Sequence, residues 1–358
     1  MKAAVMRNHL LSVENVPDPV PGDGQVLVRT LACGICGSDL HYLAHLDRMI
    51  ALAERTQPGV PTLDPARPIV MGHEFCAEIV DHGPGTQRTM RTGARVTSVP
   101  VVIGAAGIDT VGYSHDHPGG YGELMVLSEA LLIPVPDDVP TAVAALTEPM
   151  AVGRHAVERA RLTDDDVALV IGCGPIGLAV IAWLRAKGVA PVIAADFSPG
   201  RRALAERMGA HEVIDPAQHS PYARWQDVAW PPGADRNSPL VALTGPAPRP
   251  GVVFECVGVP GLINAAFEGA MRDTRLVVVG ACMEVDRIEP ILGIGKELSV
   301  QFVLAYTPDE FADTLAALAD GRVDGTPMVT GHVGIDGVPQ AFVDLRNPDA
   351  HAKILVEP

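Results

Sequence analysis

A glycine turn between apolar segments, in residues 167–196, constrains the fold of this chain more than any other feature of its sequence. Gly172, Gly174 and Gly177 form the pattern G-x-G-x-x-G directly after the apolar run at 167–171, and a segment of helical character follows. In that setting the first glycine makes a tight turn, the second lets the backbone approach a pyrophosphate, and the third lets the helix pack against the strand. The unpaired N–H groups at the N-terminus of the helix favour the binding of a phosphate group. The stretch therefore predicts a dinucleotide site.

Asp196 follows a second predicted strand and stands roughly 20 residues beyond the last glycine, the spacing of an acid that binds the adenosine ribose. A carboxylate there accepts from both ribose hydroxyls and repels a 2′-phosphate, so the sequence predicts NAD rather than NADP. Two other interpretations are an ordinary glycine-rich turn and, for the charge-free run at 167–184, a membrane span, which three glycines and a proline disfavour. The residues predicted to contact the cofactor are Gly172, Gly174, Pro175, Ile176, Gly177, Asp196, Arg201 and Val257.

Composition limits the class of protein. The 358 residues are enough for two domains. The 27 basic and 43 acidic residues give a formal net charge of −16, which disfavours nucleic acid and anionic membrane as partners. Six scattered cysteines do not form a disulfide framework, and the N-terminal segment has no apolar core typical of a secretory signal. We therefore expect a cytoplasmic protein.

The rhythm of apolar segments changes near residue 150. Residues 1–150 contain short apolar alternations separated by Pro and Gly, which predict a partly open β-barrel or sandwich. Residues 151–289 alternate strands with helices, which predicts an α/β fold with a doubly wound parallel sheet. Residues 290–358, including a strand near 298–303, are predicted to return the chain to the first domain.

A second group of candidate residues lies in the β-rich part. Cys33 and Cys36 belong to the segment CGICGSDLH, and His73 and Glu74 follow in GHE. A thiolate and a neutral imidazole are natural zinc ligands, and three protein ligands with an open position are typical of catalytic zinc. The two cysteines alone also fit a redox pair, half of a structural zinc site, or two buried thiols. The lack of a second C-x-x-C disfavours a zinc ribbon, and the lack of an adjoining βαβ unit disfavours a redox pair.

The order of these motifs resembles that of the zinc-containing medium-chain dehydrogenases, the alcohol and polyol dehydrogenase superfamily, and in particular its sorbitol, butanediol and threonine dehydrogenase branch. The likeness runs from MKAAV at the N-terminus through EPMAV at 148–152 to HAKILVEP at the C-terminus. It implies a GroES-like catalytic domain in residues 1–150 and a Rossmann NAD-binding domain after it. It also implies zinc-dependent, reversible hydride transfer between NAD and a secondary alcohol or polyol.

The resemblance also implies the zinc ligands. Cys36, and not Cys33, corresponds to the thiolate ligand, and His73 corresponds to the imidazole ligand. Glu148 stands at the position of the third ligand, while Glu74 is a competing oxygen ligand in relatives of the sorbitol type. The sequence leaves the choice between these two carboxylates open, and Glu148 is also compatible with a solvent-facing acid before a proline.

Three further roles follow from the resemblance. Asp39 corresponds to a carboxylate that orients the histidine ligand. Ser38 and His41 correspond to a proton relay, for which a histidine is suited by its pKa, although a surface histidine is the alternative for His41. The residues predicted to take part in catalysis are Ser38, His41 and Glu74.

The sequence departs from the family pattern in two places. Many relatives bind a structural zinc with four closely spaced cysteines, whereas residues 99–118 here contain none, and we interpret His115 and His117 as part of a polar loop. We therefore predict one catalytic zinc per chain and no structural zinc. Residues 44–68, with a helical piece at 46–55, are longer than in many relatives, and we hypothesise that they shape the substrate pocket; a surface loop or a subunit contact is the alternative.

Two other functions remain as alternatives: a zinc-free NADPH-dependent reductase of the quinone or enoyl type, and a non-enzymatic binding protein on the same fold. Cys36, His73 and Asp196 disfavour the reductase, and the intact ligand and relay residues disfavour the binding protein. The sequence does not identify the alcohol or ketone, or the physiological direction. A homodimer and a homotetramer are equally compatible with it, and the strand near 298–303 is a candidate subunit contact.

Overall fold

The chain is described by a computed structural model in the ranges 1–56, 62–104, 107–234 and 247–358. It divides into two compact units. Unit 1 comprises Met1–Pro149, Pro308–Arg322 and Val329–Pro358, and unit 2 comprises Met150–Thr307 and Val323–Met328. Within the described ranges, no helix is both long and apolar enough to cross a membrane.

The secondary structure is numbered in chain order. The strands are β1 (Lys2–Arg7), β2 (Leu10–Asn15), β3 (Gln25–Gly34), β4 (Glu74–His82), β5 (Arg95–Ser98), β6 (Val101–Gly104), β7 (Gly107–Thr110), β8 (Leu124–Ser128), β9 (Leu132–Pro134), β10 (Val167–Ile171), β11 (Val192–Ala195), β12 (Glu212–Ile214), β13 (Gly251–Glu255), β14 (Arg275–Val278), β15 (Ser299–Phe302), β16 (Val329–Val333) and β17 (Lys353–Val356). The α-helices are α1 (Gly37–Thr56), α2 (Thr141–Ala145), α3 (Thr147–Arg159), α4 (Pro175–Ala186), α5 (Pro199–Arg207), α6 (Pro221–Ala229), α7 (Leu262–Gly269), α8 (Pro290–Lys296), α9 (Pro308–Ala319) and α10 (Val338–Asp344). Short 3-10 helices occupy Glu129–Leu131, Thr326–Met328 and Ile335–Gly337.

Unit 1 contains a seven-stranded sheet in the order β16-β17-β3-β4-β5-β9, with β8 also paired to β3. Strands β16 and β17 are parallel, and the other pairs are antiparallel. The central strands β3 and β4 bury most of their side chains, and β1 adds a fully buried apolar segment. The core includes Tyr121, Phe75 and Phe342, which are almost completely buried. The predicted β-rich fold of this part is confirmed.

Helix α1 begins at Gly37, nine residues before the helical piece that the sequence indicated at 46–55. Its start is fixed by a reciprocal contact, in which the Cys36 N–H donates to Asp39 Oδ2 at 3.1 Å and the Asp39 N–H donates to the Cys36 carbonyl at 3.1 Å. An acid that reaches back to the N-cap amide is half of a capping box. The helix bends at His45, where φ is −131° and ψ is 22°. The cap thus places Cys36 at the helix start.

Unit 2 contains a six-stranded parallel sheet in the order β12-β11-β10-β13-β14-β15. This is the doubly wound order: successive strands are added toward one edge from β10 to β12 and toward the other edge from β13 to β15. Every residue of these two strands is buried, as expected for parallel strands covered on both faces. The predicted α/β fold with a Rossmann sheet is confirmed, and the run at 167–184 forms a strand, a turn and a helix.

The return to the first domain comes later than the predicted position at residue 290. Helix α8 and strand β15 belong to unit 2, where β15 pairs in parallel with β14 at the sheet edge, and the chain enters unit 1 only at Pro308. The prediction was wrong here because an apolar strand does not indicate by itself which sheet supplies its partner. Part of the proline-rich segment at 224–250, residues 235–246, lies outside the described residues.

Candidate active site

The glycine turn after β10 has the close packing that its pattern predicts. Gly172 has a φ of 90°, in the left-handed region that favours glycine. A Cβ on Gly177 would lie 1.9 Å from the Gly172 carbonyl oxygen, so α4 approaches the turn more closely than a side chain would allow. Gly174 is the N-cap of α4 without a side-chain cap, and Pro175 lies in the first turn. The first amides of α4 are therefore available to a phosphate group.

Replacement of Gly177 by alanine is expected to lower the free energy of unfolding by about 1–3 kcal/mol because the added methyl group overpacks the turn. It is also expected to weaken NADH binding, since α4 must move away from Gly172. Urea denaturation and a fluorescence titration with NADH measure the two effects. Gly295→Ala is the matched control, because a Cβ there meets no atom within 4 Å. Equal NADH affinity in the two variants would contradict a phosphate-binding role for the turn.

Asp196 lies directly after β11, beside the same turn. Its Oδ2 accepts a hydrogen bond from the Cys173 N–H at 2.8 Å, and its Oδ1 accepts one from the Ser198 N–H at 2.8 Å. Arg201 Nη1 is 4.0 Å from Asp196 Oδ2, and the guanidinium group is 3.9 Å from the position of a Cβ on Gly174. Backbone amides from the turn and from the start of α5 therefore fix the carboxylate next to the glycines.

Val257 follows β13 and packs against the turn, with its Cγ2 2.5 Å from the position of a Cβ on Gly172. Its N–H donates to Oε1 of the buried Glu255 at 2.7 Å, and burial raises the pKa of that carboxyl group. Sequence reasoning missed Glu255. With Ile176 in the first turn of α4, the predicted cofactor residues gather at the C-terminal ends of β10, β11 and β13, where open α/β sheets bind ligands.

Cys36, His73 and Glu74 form the candidate metal site. One donor atom from each lies within 4.8 Å of the others, and in the described ranges no other group of three or more Cys, His, Asp or Glu residues does so. Cys36 precedes α1, and His73 and Glu74 stand at the start of β4. Gly72 has a φ of 104°, and a Cβ there would lie 2.9 Å from Cys33 Sγ. The close approach of the two segments at Gly72 brings the site together.

Asp39 is completely buried beside this site and accepts hydrogen bonds on both oxygens. Tyr113 Oη donates to Oδ1 at 2.7 Å, and Tyr121 Oη donates to Oδ2 at 2.5 Å. His73 Nδ1 lies 3.5 Å from Oδ1 and is buried without a hydrogen-bond partner in the described residues. Burial raises the pKa of Asp39, but the imidazolium charge and the hydrogen bonds outweigh it, so the net pKa is lowered. Asp39 thus faces His73, as the resemblance implied.

Glu74 forms a buried ion pair with Lys353, which the sequence analysis missed. The lysine Nζ lies 2.6 Å from both carboxylate oxygens and also donates to the Ile35 carbonyl at 3.1 Å. The side chains of Lys353 and Glu74 are 1% and 0% exposed. Glu74 lies across from Gly34 on β3, where a Cβ would be 2.0 Å from Glu74 Oε2. Burial lowers the pKa of Lys353, but Glu74 and neighbouring acids raise it more.

Glu148 lies in the first turn of α3 and is buried, so it is not a solvent-facing acid. It is outside the group of donor atoms formed by Cys36, His73 and Glu74 in the described structure. Its charge is close enough to Lys353 to contribute to the raised pKa of that lysine. The two carboxylates that the sequence left as alternatives therefore occupy different places, and Glu74 is the one beside the cysteine and the histidine.

The predicted relay residues lie on the first two turns of α1. Ser38 Oγ is 2.8 Å from Tyr113 Oη, a contact that the sequence analysis did not anticipate. The His41 ring is 6.1 Å from the His45 ring between centroids. Burial lowers the pKa of His41, and a positive charge on His45 lowers it further. His41 is therefore a partly buried imidazole with a lowered pKa rather than a fully solvated one.

In the segment without cysteines at 99–118, of which residues 105–106 lie outside the described residues, Asp109, Ser114 and His117 form a polar cluster. Asp109 Oδ2 accepts from Ser114 Oγ at 2.5 Å and interacts with His117 Nδ1 at 2.7 Å. His115 Nε2 accepts from the Asp64 N–H at 2.9 Å, and its Nδ1 lies 3.2 Å from the Pro68 carbonyl oxygen. Both nitrogens of His115 are thus engaged by backbone, as expected for a polar loop. Of the predicted pocket stretch at 44–68, residues 57–61 lie outside the described residues.

The residues present fit a zinc ion. Thiolate, imidazole and carboxylate are the donor types of catalytic zinc, and three protein donors leave a position open for substrate. The donor atoms of Cys36, His73 and Glu74 converge within 4.8 Å, and His73 faces the Asp39 carboxylate. Burial followed by the Glu74 charge raises the pKa of the Cys36 thiol, a penalty that a bound cation would offset.

Two family models match the chain. The model for the alcohol dehydrogenase GroES-like domain matches residues 22–137, and the model for zinc-binding dehydrogenases matches residues 175–320. Together they cover the candidate metal site and most of unit 2.

Similar proteins include dehydrogenases of known substrate. The (R,R)-butanediol dehydrogenase of Bacillus subtilis (strain 168) is 31% identical over 100% of this chain and 100% of its own length. The sorbitol dehydrogenase of Bos taurus is 29% identical over 93% of this chain and 89% of its own length. The solved structure of a putative zinc-binding dehydrogenase from Sinorhizobium meliloti 1021, bound to NADP, is 25% identical, with a TM-score of 0.80 over 100% of this chain and 99% of that one.

Proposed function

Because this chain belongs to the zinc-containing medium-chain dehydrogenases, we propose that it is an NAD-dependent zinc dehydrogenase that interconverts a secondary alcohol or polyol and the corresponding ketone. The observation that carries the proposal is the convergence of Cys36, His73 and Glu74 donor atoms within 4.8 Å. The butanediol and sorbitol specificities of the two relatives support a diol or polyol as substrate.

Cys36, His73 and Glu74 hold the zinc in this proposal. Lys353 shares the Glu74 carboxylate, and its positive charge offsets the excess of negative charge that a thiolate and two nearby acids create. Glu148 contributes the second of those acids. Asp39 orients His73 and is itself fixed by Tyr113, Tyr121 and the Cys36 amide.

The chemistry divides between the bound groups and the side chains. When zinc is bound, it supplies a Lewis acid that polarises the substrate oxygen and eases loss of its proton. When NAD is bound, it supplies the acceptor for the hydride. In this proposal Ser38 Oγ accepts the hydroxyl proton of the substrate as it gives up its own proton, and His41, whose pKa burial lowers, accepts the proton that the serine gives up and releases it to solvent. Glu74 keeps its charge balanced by Lys353 throughout.

Asp196 supports NAD rather than NADP as the cofactor. Replacement of Asp196 by serine is expected to increase the ratio of kcat/KM with NADP to kcat/KM with NAD by about 10²-fold, because it removes a repulsion of a few kcal/mol toward a 2′-phosphate. Steady-state kinetics with both cofactors measure the ratio. Asp273→Ser, which removes an exposed acid of the same unit, is the matched control. A variant as selective for NAD as the parent would contradict the assignment of Asp196.

Metal analysis of the purified protein tests the proposed function. We expect one zinc per chain, held by the three residues above, with no structural zinc. Protein that carries no zinc and reduces a quinone or enoyl substrate with NADPH would instead support a zinc-free reductase. A zinc-free protein without any dehydrogenase activity would support a non-enzymatic role.

We propose further that the protein is a homodimer or homotetramer in a reducing compartment. Strand β15 is at the edge of the unit 2 sheet, and Val300 and Phe302 on it are 38% and 65% exposed, which supports pairing between subunits. The six cysteines are free thiols, which supports a cytoplasmic location.

A further inference from the structure

Tyr113 bridges two residues of the candidate active site. Its Oη lies 2.8 Å from Ser38 Oγ and 2.7 Å from Asp39 Oδ1. Tyr113 is 75 positions from Ser38 and 74 positions from Asp39 in the chain. Tyr113 also lies beside the candidate metal ligand His73, with ring centroids 5.2 Å apart. The tyrosine hydroxyl is thus the one group that links the predicted relay serine to the carboxylate facing the histidine among the described residues.

The chemistry of these groups fixes the direction of both hydrogen bonds. A carboxylate only accepts, so the single proton of the Tyr113 hydroxyl is donated to Asp39. Charge-assisted hydrogen bonds of this kind are stronger than neutral ones, so the proton does not turn toward Ser38. The Ser38 hydroxyl is therefore the donor in its contact with Tyr113. Since its only proton is then used, the Ser38 oxygen has acceptor lone pairs left for another group.

Several contacts hold Tyr113 in this position. Its ring stacks on Tyr42 with centroids 3.9 Å apart and an interplanar angle of 11°. Gly112, with a φ of 86°, packs on the backbone of Gly72, where a Cβ would lie 3.1 Å from the Gly72 nitrogen and oxygen. On the other side, Ser114 is tied to Asp109. The segment that carries Tyr113 is thus held in place by packing and hydrogen bonds.

We propose that Tyr113 is a positioning residue that orients the Ser38 hydroxyl before proton transfer, so that the serine oxygen accepts a hydrogen bond from the substrate hydroxyl. Without this partner, the serine proton is free to point at the substrate oxygen, which is the opposite polarity to that needed for the substrate to lose its proton. The inference deepens the proposed function and rests on it, because it assumes that Ser38 acts on an alcohol.

A double-mutant cycle of Ser38→Ala and Tyr113→Phe tests the inference in the zinc-loaded protein with NAD and 2,3-butanediol. We expect Ser38→Ala to lower kcat about 10²-fold and Tyr113→Phe to lower it about tenfold through loss of the hydrogen bond that orients Ser38, with an unchanged KM for NAD. The double variant should have the kcat of Ser38→Ala alone, because Tyr113 acts through the serine. Tyr222→Phe, against Gly269 in unit 2, is the matched control and should retain the parent kcat.

The parent, the two single variants and the double variant are also compared by urea denaturation. The unfolding midpoints measure the Ser38–Tyr113 coupling independently of enzyme activity. We expect the shift of the midpoint in the double variant to be smaller than the sum of the two single shifts. Additive kinetic losses, or a Tyr113→Phe variant with parent kcat, would overturn the inference while leaving the proposed function intact. If the parent protein does not oxidise the diol, the diol is not its substrate. The midpoints then still test the positioning role, because additive shifts would overturn it.

Discussion

Replacement of Cys36 by serine is expected to remove the bound zinc and to lower the rate of NAD-linked alcohol oxidation by about 10³-fold or more, since the metal contributes several kcal/mol to the barrier. The Cys36 thiol is one of three donors that converge within 4.8 Å, and a serine hydroxyl is a far poorer zinc ligand than a thiolate. Metal analysis of the purified variant and its kcat, measured by absorbance of the reduced cofactor, check the two effects together.

The chain offers a matched control for this prediction three residues away. Cys33 is the other thiol of the same C-x-x-C segment and is buried, but it is not part of the donor group. Cys33→Ala is therefore expected to retain zinc and most of the activity. Loss of zinc from Cys33→Ala together with its retention in Cys36→Ser would contradict the assignment and would make Cys33 the metal ligand.

The Lys353→Met variant is expected to lose about 3–5 kcal/mol of unfolding free energy, because it leaves the Glu74 carboxylate buried without its charge partner. Both side chains are at most 1% exposed, and the lysine contacts both carboxylate oxygens at 2.6 Å. Urea denaturation followed by circular dichroism measures the loss. Addition of zinc is expected to recover part of it, since the cation replaces the missing positive charge beside Glu74.

Two comparisons test whether burial of the ion pair causes the loss of unfolding free energy in Lys353→Met. Lys2 pairs with Asp336 at the same 2.6 Å distance, but its side chain is 40% exposed, so Lys2→Met should change the free energy of unfolding by less than about 1 kcal/mol. The double variant Lys353→Met with Glu74→Gln should be more stable than Lys353→Met alone, because the unpaired charge is gone. Equal losses in Lys353→Met and Lys2→Met would contradict a structural role for the buried pair.

The features that the sequence predicted correctly are those encoded locally. The turn at Gly172 and Gly177, the following helix and the strands of the Rossmann sheet are set by residues within about 20 positions of each other, so their spacing is visible in the chain. The resemblance to a family then supplied the pairing of Cys36 with His73, which the structure brings into one group. Local residue patterns and a specific motif order were sufficient for these.

The features that the sequence did not predict depend on contacts between distant segments. Lys353 meets Glu74 across 279 positions and Tyr113 meets Ser38 across 75, and neither pair has a spacing that indicates contact. Strand β15 was assigned to the wrong domain for the same reason, because its own residues do not show that β14 is the strand with which it pairs. One signal was present, because a lysine inside the apolar segment KILV has to find a buried partner.

The proposed zinc chemistry is tested most directly by the formation of reduced cofactor from NAD and 2,3-butanediol or sorbitol, followed by absorbance before and after treatment with a zinc chelator. We expect that the untreated protein oxidises at least one of these alcohols, that chelation abolishes the activity, and that added zinc restores it. Oxidation that persists at the same rate after complete removal of zinc would contradict the proposal that Cys36, His73 and Glu74 hold a catalytic metal.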